Sequence, residues 1–219
     1  MFPLADDSRR PSQFPAATTS IIALNAIAFV LELLNGDEFV MQWSLVPADI
    51  VAGHRLVTIG TSMFLHASWS HIIGNMVFLW VFGPLIEDAM NSVRYVVFYL
   101  AGGCVSMLAQ VAIDPSSTVP NLGASGAIAA VMGAFLITFP RDRIRTLLFF
   151  GWFVRVTFIP AALLIGFWFL TQLFEFGVVA QVQSGGVAYM AHIAGLVFGA
   201  ITAGLFEDRR RLSHLRGEE

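Results

Sequence analysis

Charge is scarce in this chain, and cysteine is nearly absent from it. Only 12% of the 219 residues are charged, whereas 57% are hydrophobic. This balance excludes an ordinary soluble domain, which needs a far more polar surface, and favours a protein that is solvated by a lipid bilayer. The single cysteine, Cys104, excludes an intrachain disulfide. The sequence has no zinc-type Cys/His spacing, and we expect no nucleic-acid partner.

What the sequence does contain is a series of six apolar runs, each bounded by charged or turn-forming residues. Most of them approach the roughly 20 residues that a helix needs to cross a hydrocarbon core about 30 Å thick. They predict an all-α membrane protein with six transmembrane helices in one domain (18–206). We expect flexible tails on both sides of it (1–17 and 207–219). The runs cover residues 18–34, 67–86, 92–113, 125–139, 157–175 and 187–206.

Two of the connecting segments are unusual. Loop 35–66 is long and contains apolar residues and Trp43, so we expect it to be ordered and partly embedded at the outer membrane interface. Residues 144–156 are apolar but are interrupted by Arg145 and Arg155. This pattern predicts an interfacial segment ahead of a fifth helix that starts near Pro160.

The arginines predict the orientation of the chain. Ten of the twelve cations lie on one side if the chain crosses the membrane six times, and the positive-inside rule makes that side cytoplasmic. Both termini are therefore expected in the cytoplasm, and a bacterial inner (plasma) membrane is the expected location. The ten residues are Arg9, Arg10, Arg94, Arg141, Arg143, Arg145, Arg209, Arg210, Arg211 and Arg216.

Three polar side chains are predicted to lie at one depth in the membrane. His71, Ser125 and His192 precede the first charged residue at the inner end of their helices by 16, 16 and 15 residues. At about 1.5 Å per residue, all three lie roughly 22–24 Å from the cytoplasmic edge. Asn75 lies one turn deeper, on the same face as His71. Polar groups at this depth need a partner or a water-filled cavity.

The fourth predicted helix is too short to span a bilayer. Its 15 residues, 125–139, reach about 22 Å. Its first residue, Ser125, must therefore lie below the outer surface, with loop 121–124 dipping in from outside. Irregular backbone at that depth survives only where protein or a wet cavity covers it. The sequence therefore predicts a submerged pocket around Ser125.

Small residues on two helices predict close packing next to this pocket. Such residues let helix backbones approach each other in a membrane. If these faces pack, a hydrogen bond between Ser125 and His192 becomes geometrically feasible. The stripes consist of Ala188, His192, Gly195, Gly199 and Ala203 on the sixth helix and Ser125, Ala129 and Gly133 on the fourth.

Each of these polar residues also has a purely structural interpretation. Ser125 suits the N-cap of its helix, or it is a nucleophile that a neighbouring base activates, and the two roles are compatible. His192, His71 and Asn75 suit either interhelical hydrogen bonds or roles as a base and as oxyanion donors. No carboxylate lies at the depth of His192, so we expect a catalytic dyad rather than a triad.

Three segments resemble the rhomboid family of intramembrane serine proteases. They read "HASWSHIIGNMVFLWVFGPLIED" (66–88), "GASGAIAAVMG" (123–133) and "GGVAYMAHIAGLVFG" (185–199). Their order and spacing, together with six predicted helices, resemble the family over residues 18–206. The resemblance implies a rhomboid-like six-helix bundle that cleaves transmembrane segments of other proteins within or near the bilayer, without a metal or cofactor. It implies no particular oligomeric state.

The resemblance also implies roles for individual residues. Ser125 matches the nucleophile and His192 the general base. His71 and Asn75 match the side chains that stabilise the oxyanion, together with the backbone N–H of Ser125. Gly123 and Gly126 flank the nucleophile and are expected to make room at the site. Substrates are expected to enter beside the fifth helix.

The sequence departs from the family pattern at two places. Many rhomboids have an aromatic residue one turn after the nucleophile, where this chain has Ala129, and Tyr189 is a candidate replacement. The first loop has His54-Arg55 in place of the usual Trp-Arg pair, so Arg55 is a candidate loop anchor, and His66 is expected to help hold the loop. Two other functions stay open: a non-catalytic relative that binds transmembrane segments, and a small transporter that uses the membrane histidines.

Overall fold

The computed structural model describes residues 2–150, 153–179 and 189–217 of the chain, and the described part is mostly helical. Within it, four helices are long and apolar enough to cross a membrane, namely α1, α4, α5 and α8; α6 and the Ala161–Leu173 part of α7 are shorter apolar segments. The elements in chain order are β1 (Phe2–Asp6), α1 (Ala16–Trp43), α2 (Pro47–Val51), α3 (Thr58–Thr61), a 3-10 helix (Ser62–Phe64), α4 (Trp69–Met90), α5 (Ser92–Ile113), α6 (Ser125–Thr138), β2 (Arg143–Phe150), β3 (Phe153–Pro160), α7 (Ala161–Val179), α8 (Tyr189–Phe206) and α9 (Arg209–Arg216).

The predicted helices agree with these elements most closely at α5 and α6. The run 92–113 is confirmed residue by residue as α5. The short fourth helix is confirmed as the 14-residue α6. The first helix continues beyond residue 34 as far as Trp43, across a break at Gly36, whose φ of 71° suits glycine. The predicted first loop is therefore ordered, and much of it is helical.

The prediction of an all-α chain is wrong, because three strands form an antiparallel sheet. The segment predicted to be interfacial folds into β2 and β3, and β1 from the N-terminal tail pairs with β2. Along β2, Ile144 and Thr146 are fully buried while Arg143 and Arg145 are exposed, which is the alternation of a strand with one covered face. The fifth helix starts at Ala161, directly after β3, in agreement with the predicted start near Pro160; the first residues of the apolar run 157–175 belong to β3 instead.

Both tails, expected to be flexible, have secondary structure. The N-terminal tail forms β1, and the C-terminal tail forms α9, whose N-cap Asp208 accepts a hydrogen bond from the backbone N–H of Arg210 at 3.0 Å. Arg9 connects the two tails. It forms an ion pair with Asp142 at 2.7 Å and donates to the carbonyl oxygen of Leu215. These contacts between distant parts of the chain are what order the tails.

Buried acidic residues at the end of α4 hold the beginning of α1. The carboxylate of Glu87 accepts the backbone N–H groups of Ala17 at 2.9 Å and Thr18 at 2.8 Å. No side chain of α1 itself caps its N-terminus, so Glu87 supplies both acceptors and a favourable negative charge there. The adjacent Asp88 accepts from the backbone and hydroxyl of Ser12. This end of the bundle is therefore tied together by carboxylates.

The close packing predicted from small residues is confirmed between α6 and α8. A Cβ atom placed on Gly195 would lie 2.2 Å from the carbonyl oxygen of Gly126, and one on Gly199 would lie 1.9 Å from that of Ala130. On the facing helix, a Cβ on Gly133 would lie 2.1 Å from the carbonyl oxygen of Leu196. The backbones are thus in direct contact. Ala188, also predicted in this stripe, lies outside the described residues.

We predict that Gly199→Ala separates α6 from α8. The added methyl group would overlap the backbone of Ala130, which cannot move without moving the helix, so we expect a loss of roughly 1–3 kcal/mol in stability. Gly204→Ala is the matched control on the same helix, because nothing lies within 4 Å of a Cβ there. Thermal unfolding in detergent micelles measures both variants. Equal unfolding midpoints would contradict the packing described above.

The sheet also contains a buried carboxyl group, that of Asp6. One of its oxygens accepts the backbone N–H groups of Ser8 and Arg9, and the other has no partner among the described residues. Burial raises the pKa of the Asp6 carboxyl to about 6. A folded-state pKa above the unfolded one means that protonation stabilises the fold. That contribution is complete below about pH 4 and is lost as the pH rises through 6.

We predict that Asp6→Asn removes this part of the pH dependence. The asparagine keeps an oxygen acceptor for the two N–H groups but carries no charge. Relative to the variant, the wild type should lose on the order of 2 kcal/mol between pH 4 and pH 7.5. Burial also raises the pKa of Asp142, whose negative charge in turn raises that of Asp6. Both proteins contain Asp142, so the difference between them reports the charge of Asp6 together with its repulsion by Asp142. Parallel stability curves for the two proteins would refute the prediction.

Candidate active site

A cavity of about 780 Å³ lies among α4, α6, α7 and α8 and is lined by the four residues predicted to act in catalysis. His71 and Asn75 reach it from α4, Ser125 from α6 and His192 from α8. Its other walls are largely apolar. Residue counts from the first charged residue of each helix predicted one depth for His71, Ser125 and His192 and a position one turn deeper for Asn75; in the structure, all four line one cavity.

Ser125 is the first residue of α6, and its hydroxyl group contacts a histidine. Its Oγ lies 2.6 Å from Nε2 of His192. The N-cap residue of α6 is Ala124, and no side chain makes a capping hydrogen bond there. The interpretation of Ser125 as a helix cap is therefore wrong, because the hydroxyl is directed at His192 instead.

His192 has a second polar contact and two aromatic neighbours. Its Nδ1 lies 2.5 Å from Oε1 of Gln172 on α7. The ring of Trp168, also on α7, is 5.6 Å from the imidazole centroid, and that of Tyr189 is 6.5 Å away in an edge-on arrangement. Two aromatic rings thus pack on the histidine although position 129 is alanine. Tyr189 was anticipated for this position, and Trp168 is the nearer of the two.

Gln172 and Trp168 line the cavity but were not predicted from the sequence. The signal in the sequence was the amide group of Gln172, a polar side chain inside an otherwise apolar run. In the structure this side chain is buried, with 7% of the residue surface exposed. Buried polar groups in a membrane segment require a partner. In the predicted topology α7 enters from the cytoplasmic side, so Gln172 was not among the residues whose depths were predicted.

His71 and Asn75 face the same cavity from one side of α4. The side-chain nitrogen of Asn75 is buried and has no hydrogen-bond partner among the described residues, so it remains available as a donor. The imidazole of His71 lies against Gly123, where a Cβ would be 2.9 Å from Nε2. Gly123 also has a φ of 126°, which disfavours any other residue. This glycine therefore fits its predicted place beside the site.

Gly126 has a different environment from the one predicted. A Cβ on this residue would lie 2.5 Å from Cβ of Ser106 on α5, and its carbonyl oxygen contacts Gly195 of α8. Gly126 does not line the cavity. Its contribution to the site is to let α5 and α8 pack closely behind the beginning of α6.

The loop that leads into α6 is covered by the first loop; cover by protein was one of the two possibilities that the sequence left open. Asn121 and Leu45 exchange two backbone hydrogen bonds, at 2.7 and 3.0 Å, and the N–H of Gly123 donates to the carbonyl oxygen of Ser62 at 2.9 Å. The irregular backbone ahead of Ser125 thus finds partners within the protein. Leu45 and Ala124 are fully buried.

Two predicted anchors of the first loop have defined contacts. Arg55 forms an ion pair with Asp49 at 2.9 Å and donates to the carbonyl oxygen of Gln42 at the end of α1 at 2.6 Å. The backbone N–H of His66 donates to the buried carboxylate of Glu32 at 3.1 Å, while its ring packs edge-on against His71 at 5.0 Å. The first loop is therefore attached both to α1 and to the side of the cavity.

The arrangement has the components of acyl-transfer chemistry. A hydroxyl group within hydrogen-bond distance of an imidazole is the pairing that activates a serine nucleophile. Two side chains able to donate hydrogen bonds, His71 and Asn75, line the same cavity. The first backbone N–H groups of a helix have no intrahelical partner, and Ser125 lies at that position in α6. Together they offer donors for a developing oxyanion.

A comparison with protein families gives a match to the Rhomboid domain over residues 53–208. Two bacterial relatives carry the name of rhomboid proteases. Rhomboid protease GluP of Bacillus subtilis is 28% identical over 193 residues, which cover 86% of this chain and 34% of that protein. Rhomboid protease GlpG of Serratia proteamaculans is 27% identical over 199 residues, which cover 90% of this chain and 64% of that protein.

A relative from a plant organelle is equally similar. The RHOMBOID-like protein 12, mitochondrial, of Arabidopsis thaliana is 28% identical over 200 residues, covering 83% of this chain and 55% of that protein. The chain therefore spans between about a third and two thirds of the length of these relatives. The matched range includes the four residues of the cavity lining that were predicted to act in catalysis, namely His71, Asn75, Ser125 and His192.

Proposed function

The chain belongs to the rhomboid family, and from this premise we propose that it is an intramembrane serine endopeptidase that cleaves transmembrane segments of other proteins. The observation that carries the proposal is the distance of 2.6 Å between Oγ of Ser125 and Nε2 of His192, at the wall of a cavity inside an apolar helical bundle. This contact supports the pairing of a nucleophile with its base.

In the proposed reaction, His192 removes the proton from Ser125 while Oγ attacks the carbonyl carbon of the scissile peptide bond. The carbonyl oxygen becomes an oxyanion, which accepts hydrogen bonds from His71, Asn75 and the backbone N–H of Ser125. The intermediate collapses when the protonated imidazole gives its proton to the leaving amine. The C–N bond breaks, and an ester between Ser125 and the N-terminal part of the substrate remains.

Water completes the cycle. The imidazole of His192, neutral again, takes a proton from a water molecule that attacks the ester carbonyl. The same donors stabilise the second oxyanion. Its collapse breaks the ester bond, and the proton held by His192 returns to Oγ of Ser125. Ser125 and His192 are then back in their starting protonation states, so the reaction consumes only water.

The lining of the cavity suits an extended, apolar substrate segment. Its walls include Phe78, Ile128 and Met132, which suit the side chains of a membrane segment better than those of a soluble peptide. A peptide bond in an intact helix is shielded by its neighbouring turns, so the substrate must unwind before Ser125 reaches it. Transmembrane segments with small or helix-weakening residues are therefore the proposed substrates.

We propose a topology of six membrane-spanning helices, formed by α1 and α4 to α8. Arginines cluster at the end of the bundle where both tails meet: Arg9 pairs with Asp142 and Arg211 with Asp88. This clustering supports a cytoplasmic location for that end and for both termini. The cavity then opens towards the opposite side of the membrane, and a bacterial inner membrane is the proposed location.

We predict that Ser125→Ala and His192→Ala abolish covalent labelling by a fluorophosphonate probe and cleavage of a reporter transmembrane segment in liposomes. The first variant lacks the nucleophile, and the second lacks its base, which contributes a factor of roughly 10²–10⁴ in rate. Ser106→Ala is the matched control. Ser106 is also a buried serine of the bundle, but its hydroxyl donates to the carbonyl oxygen of Gly102 at 2.7 Å. The Ser106→Ala variant should therefore be labelled like the wild type.

These measurements also separate the alternatives. A non-catalytic relative would bind the reporter segment without being labelled or cleaving it. A transporter would move ions in liposomes in a manner that depends on His71 and His192 but not on Ser125. Retention of full cleavage by Ser125→Ala would refute the proposed mechanism outright.

We predict that Asn75→Ala lowers kcat by about 10²–10³, the usual cost of removing one oxyanion donor, with a smaller change in KM. His71→Ala should behave similarly, because it removes a second donor. Ile73→Ala on the same helix is the control, since this side chain is half exposed and faces away from the cavity. Cleavage of the reporter by Asn75→Ala within twofold of the wild-type rate would exclude an oxyanion role for this residue.

A further inference from the structure

The proposed general base is contacted from a helix that carries none of the four proposed catalytic residues. Trp168 and Gln172 of α7 are one turn apart, so they lie on the same face of the helix. Both line the cavity, and both touch the imidazole of His192, one by ring packing and the other by a hydrogen bond. The orientation of the imidazole is therefore determined from α7.

We propose that Gln172 is a positioning residue that selects the tautomer of His192; the inference rests on the function proposed above. Oε1 of Gln172 lies 2.5 Å from Nδ1 of His192. An amide oxygen can only accept a hydrogen bond, so Nδ1 carries the proton and donates it. Nε2 is then unprotonated and accepts the hydrogen bond from Ser125. This is the tautomer that a base needs in order to take the serine proton.

A chain of hydrogen bonds fixes which way the amide group of Gln172 points. The hydroxyl group of Thr171 donates to the backbone carbonyl of Trp168 at 2.6 Å, so its proton is used there. Its oxygen is left as an acceptor, and Nε2 of Gln172 donates to it at 3.3 Å. The other end of the amide, Oε1, is thereby turned towards His192. Donation therefore runs in one direction, from the hydroxyl of Ser125 through His192 and Gln172 to Thr171, and it ends at the carbonyl oxygen of Trp168.

A neutral amide suits this position better than a carboxylate. In a Ser–His–Asp triad an acidic side chain orients the histidine and stabilises its charged form. His192 and Gln172 are each only 7% exposed, and a buried carboxylate would require a compensating charge. Gln172 provides the orientation without a permanent charge. Ser125 and His192 then carry out the chemistry, while Gln172 is a third member of the hydrogen-bonded chain.

Trp168 completes the support of the histidine. Its ring plane is tilted by 43° relative to the imidazole at a centroid distance of 5.6 Å. It packs on the ring from α7, in place of the aromatic residue that α6 lacks at the buried Ala129. The titratable groups that face the imidazole within the described residues are His71, across the cavity, and Tyr189, on α8. All variants below leave both of them in place.

The experiment compares two substitutions of similar length at this position. Gln172→Met removes the acceptor, and we expect kcat for the reporter segment to fall about ten- to a hundredfold, less than the loss of the base itself. Gln172→Glu keeps an acceptor and adds a negative charge that favours the imidazolium. We expect this variant to retain kcat within a few-fold, while the acidic limb of its pH–rate profile moves to higher pH.

Gln110→Met is the matched control, because it makes the same replacement of glutamine by methionine away from the cavity. Gln110 lies on α5 away from the cavity, and its side-chain oxygen has no partner among the described residues. The control should keep the wild-type kcat and pH profile. The proposal is overturned if Gln172→Met retains the wild-type kcat, or if Gln172→Glu loses as much activity as Gln172→Met without any shift of the profile.

The tautomer can be measured without any proteolysis. In protein labelled with ¹⁵N-histidine and carrying Ser125→Ala, we expect the His192 signals of a ring protonated at Nδ1, assigned by their absence in His192→Ala. Adding Gln172→Met should shift the population towards the Nε2-protonated form. A ring protonated at Nε2 while Gln172 is present would overturn the inference. If the wild type cleaves no reporter, the proposed function fails, yet this spectrum still decides the role of Gln172.

Discussion

The direct backbone contact between α6 and α8 is the constraint on which the candidate site depends. Ser125 begins one of these helices and His192 lies in the first turn of the other, so the separation of the helices sets the distance between their reactive atoms. Gly195 and Gly199 allow this separation to be small, because any side chain there would overlap the carbonyl groups of α6. Between apolar helices in a bilayer, such close packing also supplies the attraction. Stability and site geometry therefore come from the same contact.

The shortness of α6 is the second constraint, and the first loop compensates for it. A helix of 14 residues leaves irregular backbone ahead of Ser125, which needs hydrogen-bond partners inside a membrane protein. Leu45 and Ser62 of the first loop provide them. Arg55 in turn binds carbonyl groups at the end of α1 and holds the loop in place. The loop is thus part of the support of Ser125, the proposed nucleophile.

Features of the fold were predictable from the sequence where they depend on residues close together in the chain. Helix positions, the short α6 and the small-residue stripe depend on local composition and spacing, and the sequence analysis found them. The strands β2 and β3 are neighbours along the chain, and they were missed because arginines within an apolar run were interpreted as an interfacial segment. Within the sheet, only the pairing of β1 with β2 joins residues far apart in the chain, 2–6 and 143–150, and no local pattern predicts it. Gln172 was missed for a related reason. Its partner lies on another helix, and only the packing of α7 against α8 reveals that its amide faces an imidazole.

The sheet and the support of His192 are connected through α7. This helix begins directly after β3, and β3 pairs with β2, which pairs with β1 of the N-terminal tail. Gln172 and Trp168 both belong to α7, so the position of this helix determines the support of the imidazole. Because the sheet fixes where α7 begins, contacts of the N-terminal tail contribute to the geometry around His192, although none of the described residues of that tail lines the cavity.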